Sequence, residues 1–194
     1  MDVNILSEKA FQTSQWSGGT TRELFIYPTG TEYKKRDFDF RISSASINSM
    51  ISDFTPLNGF SRKLMILDGE IFINHENHHS KIMKKFDIDE FDGGWKTSSV
   101  GKCKDFNLIT SKKADGKLSY EIIEKNQSLN IDIETDNNWL LIFIKSGNIT
   151  LTLQRQTFNV LQNNLLILNN LTSNKIKVFA NDNSELIFAY VKLV

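Results

Sequence analysis

Apolar and polar residues alternate with a period of two along most of the chain. Phe38, Phe40 and Ile42 alternate with Asp39, Arg41 and Ser43, and Leu129, Ile131 and Ile133 with Asn130, Asp132 and Glu134. Ile149, Leu151 and Leu153 alternate with Thr150, Thr152 and Gln154, and Ile176 and Val178 with Lys175 and Lys177. Side chains of a strand point alternately to its two faces, so each run predicts a half-buried strand. Asn163-Asn164, Asn169-Asn170 and Asn181-Asp182-Asn183 read as turns between them. No segment carries a sustained helical stripe; only Ala45 to Met50 reads as a short helix. Many short strands with regular turns predict an all-β fold, either a sandwich, a jelly roll or a barrel.

One hairpin pattern occurs twice. Leu64 to Ile73 (LMILDGEIFI) and Leu141 to Leu151 (LIFIKSGNITL) each run from an apolar strand through a glycine into an alternating strand. Gly69 and Gly147 are expected to supply the positive φ of the turn. The copies sit at comparable places in the two halves, which predicts a duplicated barrel. The polar stretch Lys112 to Lys117 marks the seam, giving domains 1–112 and 113–194 that pack as one unit.

Composition narrows the function classes. Lys plus Arg and Asp plus Glu each number 23, so there is neither a basic surface for nucleic acid nor an acidic tail. The single cysteine, Cys103, cannot close an internal disulfide, and the N-terminus lacks the basic and apolar regions of a signal peptide. The longest apolar run, Trp139 to Ile144, is too short to cross a bilayer. A cytoplasmic protein is expected, with no nucleic-acid or membrane partner.

The first half carries the candidate chemistry. Arg41 and Ser43 share one strand face, and Asp105 and Asn107 share another. Arg62 precedes the Leu64 strand, and Gln15-Trp16-Ser17-Gly18-Gly19-Thr20-Thr21 sets an aromatic beside a glycine pair. Two guanidinium forks with hydroxyls and a carboxamide suit a small carboxylate. The plainer reading is an Arg41–Asp105 ion pair on a solvated face. Parity leaves open whether the Phe40 face or the Arg41 face lines the interior.

These motifs resemble the HutD/Ves family in order and spacing across residues 10 to 112. That family carries a tryptophan, an Asn-Gly-Gly-Gly-like turn and Thr-x-Glu; here they are Trp16, Gly18, Gly19, Thr21 and Glu23. Phe38, Arg41, Ser43 and Ala45 follow, then Phe54, Gly59 and Arg62, the Leu67–Gly69 hairpin, Phe91 and Gly93, and Asp105 and Asn107. Ser17, Thr20 and Phe40 stand where the family has asparagine, glycine and tryptophan. The second half matches only as a generic cupin.

The resemblance implies two fused cupin-like barrels and a pocket for a small acidic metabolite, with some members linked to histidine utilisation. The leading expectation is a regulatory binding protein in which Arg41 and Arg62 grip the acid. Thr21, Ser43 and Asn107 complete the polar shell, Asp105 orients an arginine and Trp16 walls the pocket. The rival is a metal-independent isomerase or hydrolase with Asp105 as the proton-transfer group, and a third class is a purely structural or protein-interaction cupin. A homodimer is left open. His75, His78 and His79 all lie in His75-Glu76-Asn77-His78-His79, read as an exposed turn, so no metal and no cofactor are expected. Cys103, with no base in view, reads as a buried or half-buried thiol.

Overall fold

The structure is a computed structural model that describes residues 1–133, 138–153, 156–171 and 175–194. Glu134 and Gln154, included in the alternating runs above, lie outside the described residues. The strands are β1 (Asp2–Leu6), β2 (Gln12–Trp16), β3 (Gly19–Tyr27), β4 (Phe40–Ile47), β5 (Ile51–Asp53), β6 (Phe60–Gly69), β7 (Ile71–His75), β8 (Ser80–Met83), β9 (Ile88–Asp92) and β10 (Thr97–Val100). They continue with β11 (Cys103–Ser111), β12 (Ala114–Ile123), β13 (Ser128–Asp132), β14 (Trp139–Ser146), β15 (Ile149–Leu153), β16 (Gln156–Val160), β17 (Leu165–Asn169), β18 (Lys175–Ala180) and β19 (Ser184–Leu193). The fold is all-β. Among the described residues the only helical pieces are the single 3-10 turns Glu8–Ala10 and Tyr33–Lys35. Among the described residues no helix is long and apolar enough to cross a membrane.

The chain forms two compact units. One comprises Phe11–Asp115 with Val194; the other comprises Gly116–Leu193 together with Met1–Ala10, whose strand β1 pairs antiparallel with β17. In the N-terminal unit a six-stranded sheet, β2-β3-β4-β11-β6-β9, faces a four-stranded sheet, β5-β10-β7-β8. Ile47, Leu64, Ile66, Phe91 and Cys103 of the first meet Ile71, Ile73 and Met83 of the second in one buried cluster. In the C-terminal unit a five-stranded sheet, β1-β17-β14-β19-β12, faces β13-β18-β15-β16. Ile142, Ile144, Leu166 and Phe188 there pack with Ile149, Leu151, Ile176 and Val178.

Two expectations are corrected. The units are pairs of open sheets rather than closed barrels: β2 and β9 edge the larger N-terminal sheet, and β5 and β8 the smaller. Strands as short as β5 and β8 offer few ladder bonds, so burial of side chains between the sheets joins them instead. The segment from Ala45 to Met50 forms no helix, because Ala45 is committed to β4, between Thr21 of β3 and Asp105 of β11. The turns follow the sequence closely. Gly69 (φ 84°) and Gly147 (φ 77°) make the two repeated hairpins, and Asn163 and Asn170 adopt the left-handed conformation that asparagine tolerates.

Candidate functional site

Antiparallel register arranges the polar motif residues as rows across one face of the six-stranded sheet. Thr21, Ala45, Asp105 and Ile66 form one row. Glu23, Ser43, Asn107, Leu64 and Asp89 form the next, and Arg41, Ile109, Arg62 and Phe91 the third. Leu64, Ile66 and Phe91 of this face belong to the core between the sheets, so the polar face is turned inward. The parity question is thereby settled: Arg41, Ser43, Arg62, Asp105 and Asn107 are all buried within the N-terminal unit, and Phe40 and Ile42 on the opposite face are buried too.

The two arginines differ in their partners. Arg41 Nε donates to Glu23 Oε2 at 2.6 Å, its Nη1 donates to Ser43 Oγ at 3.1 Å, and its guanidinium lies 4.2 Å from the centre of the Tyr33 ring. The Arg41–Asp105 ion pair on a solvated face is therefore not what forms; the carboxylate is that of Glu23 and the pair is largely buried. Arg62, one strand beyond Ile109, places its guanidinium 5.0 Å from the Phe54 ring and 5.3 Å from the Phe91 ring. Its Nη2 donates to Asn107 Oδ1 at 3.1 Å, while its buried Nε has no hydrogen-bond partner among the described residues. Burial lowers the Arg62 pKa, and Arg41 pushes the same way; the nearby Tyr33 and Asp105 offset part of that.

Asp105 reaches Arg62 through Asn107. Asn107 Nδ2 donates to Asp105 Oδ1 at 3.1 Å, and the Ala45 amide donates to the same oxygen at 3.1 Å. Burial pushes the Asp105 carboxyl up to about 6, against the pull of the Ala45 amide, Arg62 and Asn107. A buried cation, a carboxyl that titrates near neutrality and an amide bridging them can hold an anion or relay a proton.

Thr21 lies on the same face, and its Oγ1 accepts from Trp16 Nε1 at 3.2 Å. Trp16 itself stands apart from the arginines. It is 37% exposed on the edge strand β2 and lines a surface depression of about 390 Å³ with Gly18 and Asn48. Glu23 was visible in the sequence as the end of Thr-x-Glu, two residues from Thr21, yet only the register shows that it serves Arg41.

The histidine run is also corrected. His75 is not in an exposed turn: it is the last inward residue of β7, after Ile71 and Ile73, and only 1% exposed. The alternation Ile71-Ile73-His75 was the available signal. Its Nδ1 lies 2.7 Å from Thr97 Oγ1 and its Nε2 2.9 Å from Asp89 Oδ2. Burial lowers the His75 pKa, although hydrogen bonding to Asp89 opposes it. Asp89, on β9, carried no signal in the sequence. His78 and His79 are exposed, as expected.

Several solved structures share this fold. A conserved protein of unknown function from Pseudomonas aeruginosa PAO1, PA5104, superposes with a TM-score of 0.83 at 17% identity over 100% of both chains. HutD from Pseudomonas fluorescens SBW25 gives 0.76 at 16%, and the bacterial pirin YhhW from Escherichia coli gives 0.74 at 11%, each again over 100% of both chains. At these identities the likeness is one of fold, and it makes the fold cupin-like. Among curated proteins none matches the sequence. The family model of HutD matches residues 8–188, and the chain belongs to the HutD family.

Proposed function

We propose that this chain is a bicupin, one cupin-like unit in each half, that binds a small carboxylic acid in its N-terminal unit and acts as a cytoplasmic regulatory protein. Arg62 anchors the acid, and Asn107, Ser43 and Thr21 supply polar contacts. Arg41, paired with Glu23, holds the row in place, and the acid site itself uses no metal. The observation that carries this reading is the Nε of Arg62, buried without a hydrogen-bond partner among the described residues. A buried guanidinium with an open donor is costly until an anion meets it, and a carboxylate matches its fork. Burial of the surrounding groups limits the acid to a small one. HutD from Pseudomonas fluorescens SBW25 was solved in a formate condition, which makes formate the first acid to try.

The test is a thermal-shift series of the full chain against formate, formylglutamate, urocanate and glutamate, with and without EDTA. A ligand that binds only the folded state at about 100 times its dissociation constant adds roughly 2.7 kcal/mol of stability. The expected result is a dose-dependent rise with one acid that EDTA leaves unchanged. No rise with any acid contradicts the proposal. A second reading, a metal-independent isomerase or hydrolase, draws on the raised carboxyl of Asp105. In that case Asp105→Asn keeps binding and abolishes turnover.

A further inference from the structure

The N-terminal unit holds a second polar cluster that the acid pocket does not use. His75 ends β7, His79 lies in the turn that follows, and Asp89 comes from β9. His75 Nε2 is 2.9 Å from Asp89 Oδ2, and His79 Nε2 is 3.1 Å and 3.3 Å from the two Asp89 oxygens. One donor atom from each residue falls within 4.8 Å of the other two. We propose that His75, His79 and Asp89 bind a divalent transition metal of the zinc class, with water or a small ligand completing the coordination.

The donor set fits that class. Two borderline imidazoles and one carboxylate are a donor set that zinc accepts, and three protein ligands plus an open position make a tetrahedral site of reactive type. Bonds of about 2.0–2.2 Å place tetrahedral donors roughly 3.3 Å apart. The contacts to Asp89 are already near that spacing. His79, with its side chain 41% exposed on a turn, is free to close the remaining gap.

The surroundings prepare each ligand. Thr97 Oγ1 lies 3.3 Å from the Trp95 carbonyl oxygen, within reach as a donor. The 2.7 Å contact between Thr97 Oγ1 and His75 Nδ1 fixes the ring so that Nε2 points at Asp89, 2.9 Å away. With a metal on Nε2, the supporting hydrogen-bond chain would run from Nδ1–H to Thr97 and from Thr97 O–H to the Trp95 carbonyl. Lys81 Nζ holds Asp89 Oδ1 at 2.9 Å and leaves Oδ2 for the ion, the hydrogen-bonded carboxylate arrangement typical of metal sites. His78, stacked on Trp95 with ring centres 3.7 Å apart, stands outside the donor set.

The test titrates chelator-treated full-length protein with Co²⁺, read by its visible absorption, and with Zn²⁺ in competition. The parent is expected to bind one equivalent and to show the intense band of tetrahedral cobalt. His79→Ala, at an exposed side chain, weakens binding by more than about 100-fold, Thr97→Val by roughly 10- to 100-fold, and His78→Ala leaves it unchanged. Circular dichroism checks that each variant is folded. No tetrahedral band in the parent, or parent-like affinity in His79→Ala, overturns the site. The acid titrations above are run with EDTA, so this site can fail without the acid pocket failing, and the reverse.

Discussion

Glu23 Oε2 lies 2.6 Å from Arg41 Nε, and that pairing separates two arginines that the sequence presents as equivalent. Arg41 is neutralised within its own sheet. Arg62 has a neutral amide acceptor, two aromatic rings and one open donor. The difference is why the proposed acid site is centred on Arg62 rather than on Arg41.

Glu23→Gln is expected to leave the Arg41 charge buried without its counter-ion, at a cost of about 3 kcal/mol. Arg41→Met combined with Glu23→Leu removes both charges and recovers most of that loss. Urea unfolding midpoints measure both. A Glu23→Gln midpoint equal to the parent's contradicts the pairing.

Asp105 gives stability a distinctive dependence on pH. Its carboxyl stands at about 6 in the folded chain and 3.8 as the reference value, so the folded state binds the proton more tightly. Its contribution is fully present below pH 3.8 and is lost as pH rises through 6, a difference of roughly 3 kcal/mol. Asp105→Asn removes the dependence. Subtracting the variant's unfolding free energy from the parent's between pH 4 and pH 7 isolates this group, and a flat difference contradicts the assignment.

Cys103 is buried on β11, and burial pushes its thiol up to about 12, with Asp105 pushing in the same direction. The native protein is therefore expected to resist iodoacetamide at pH 8, and the unfolded chain to react fully. Mass spectrometry of the two samples distinguishes them; equal labelling contradicts the burial.

Gly69→Ala and Gly147→Ala are each expected to destabilise the protein by about 2 kcal/mol. Both glycines have positive φ. A Cβ at Gly69 would lie 2.4 Å from the Lys102 carbonyl oxygen, and one at Gly147 2.3 Å from Ser184 Oγ. Chemical denaturation of each variant checks this, and a midpoint unchanged in either case removes the argument for that hairpin.

Much of this fold was legible as alternation. The runs around Phe40, Leu129, Ile149 and Ile176 are strands, and the two hairpin glycines turn as expected, because period two and positive φ are local properties. The open sheets were not legible, since edge pairing depends on partners far apart in sequence. The polar cluster was half legible. Parity grouped Arg41 with Ser43 and Asp105 with Asn107. Only register could set Glu23 against Ser43, or place Arg41 and Arg62 in one row across Ile109. Trp16 was legible as a large aromatic beside a glycine pair, but its place on the edge strand β2 depends on sheet order. His75 was misread because a dense run of polar residues resembles a turn, whereas its first member still belongs to the inward phase of β7.

The most direct test of the acid-binding account is calorimetric titration of formate into the parent and into Arg62→Met, both in EDTA. Loss of a charge-assisted hydrogen bond corresponds to about 1.5–3 kcal/mol. The account predicts measurable binding by the parent, weakened roughly 10- to 100-fold or abolished in the variant. Equal affinity in the two proteins would contradict it.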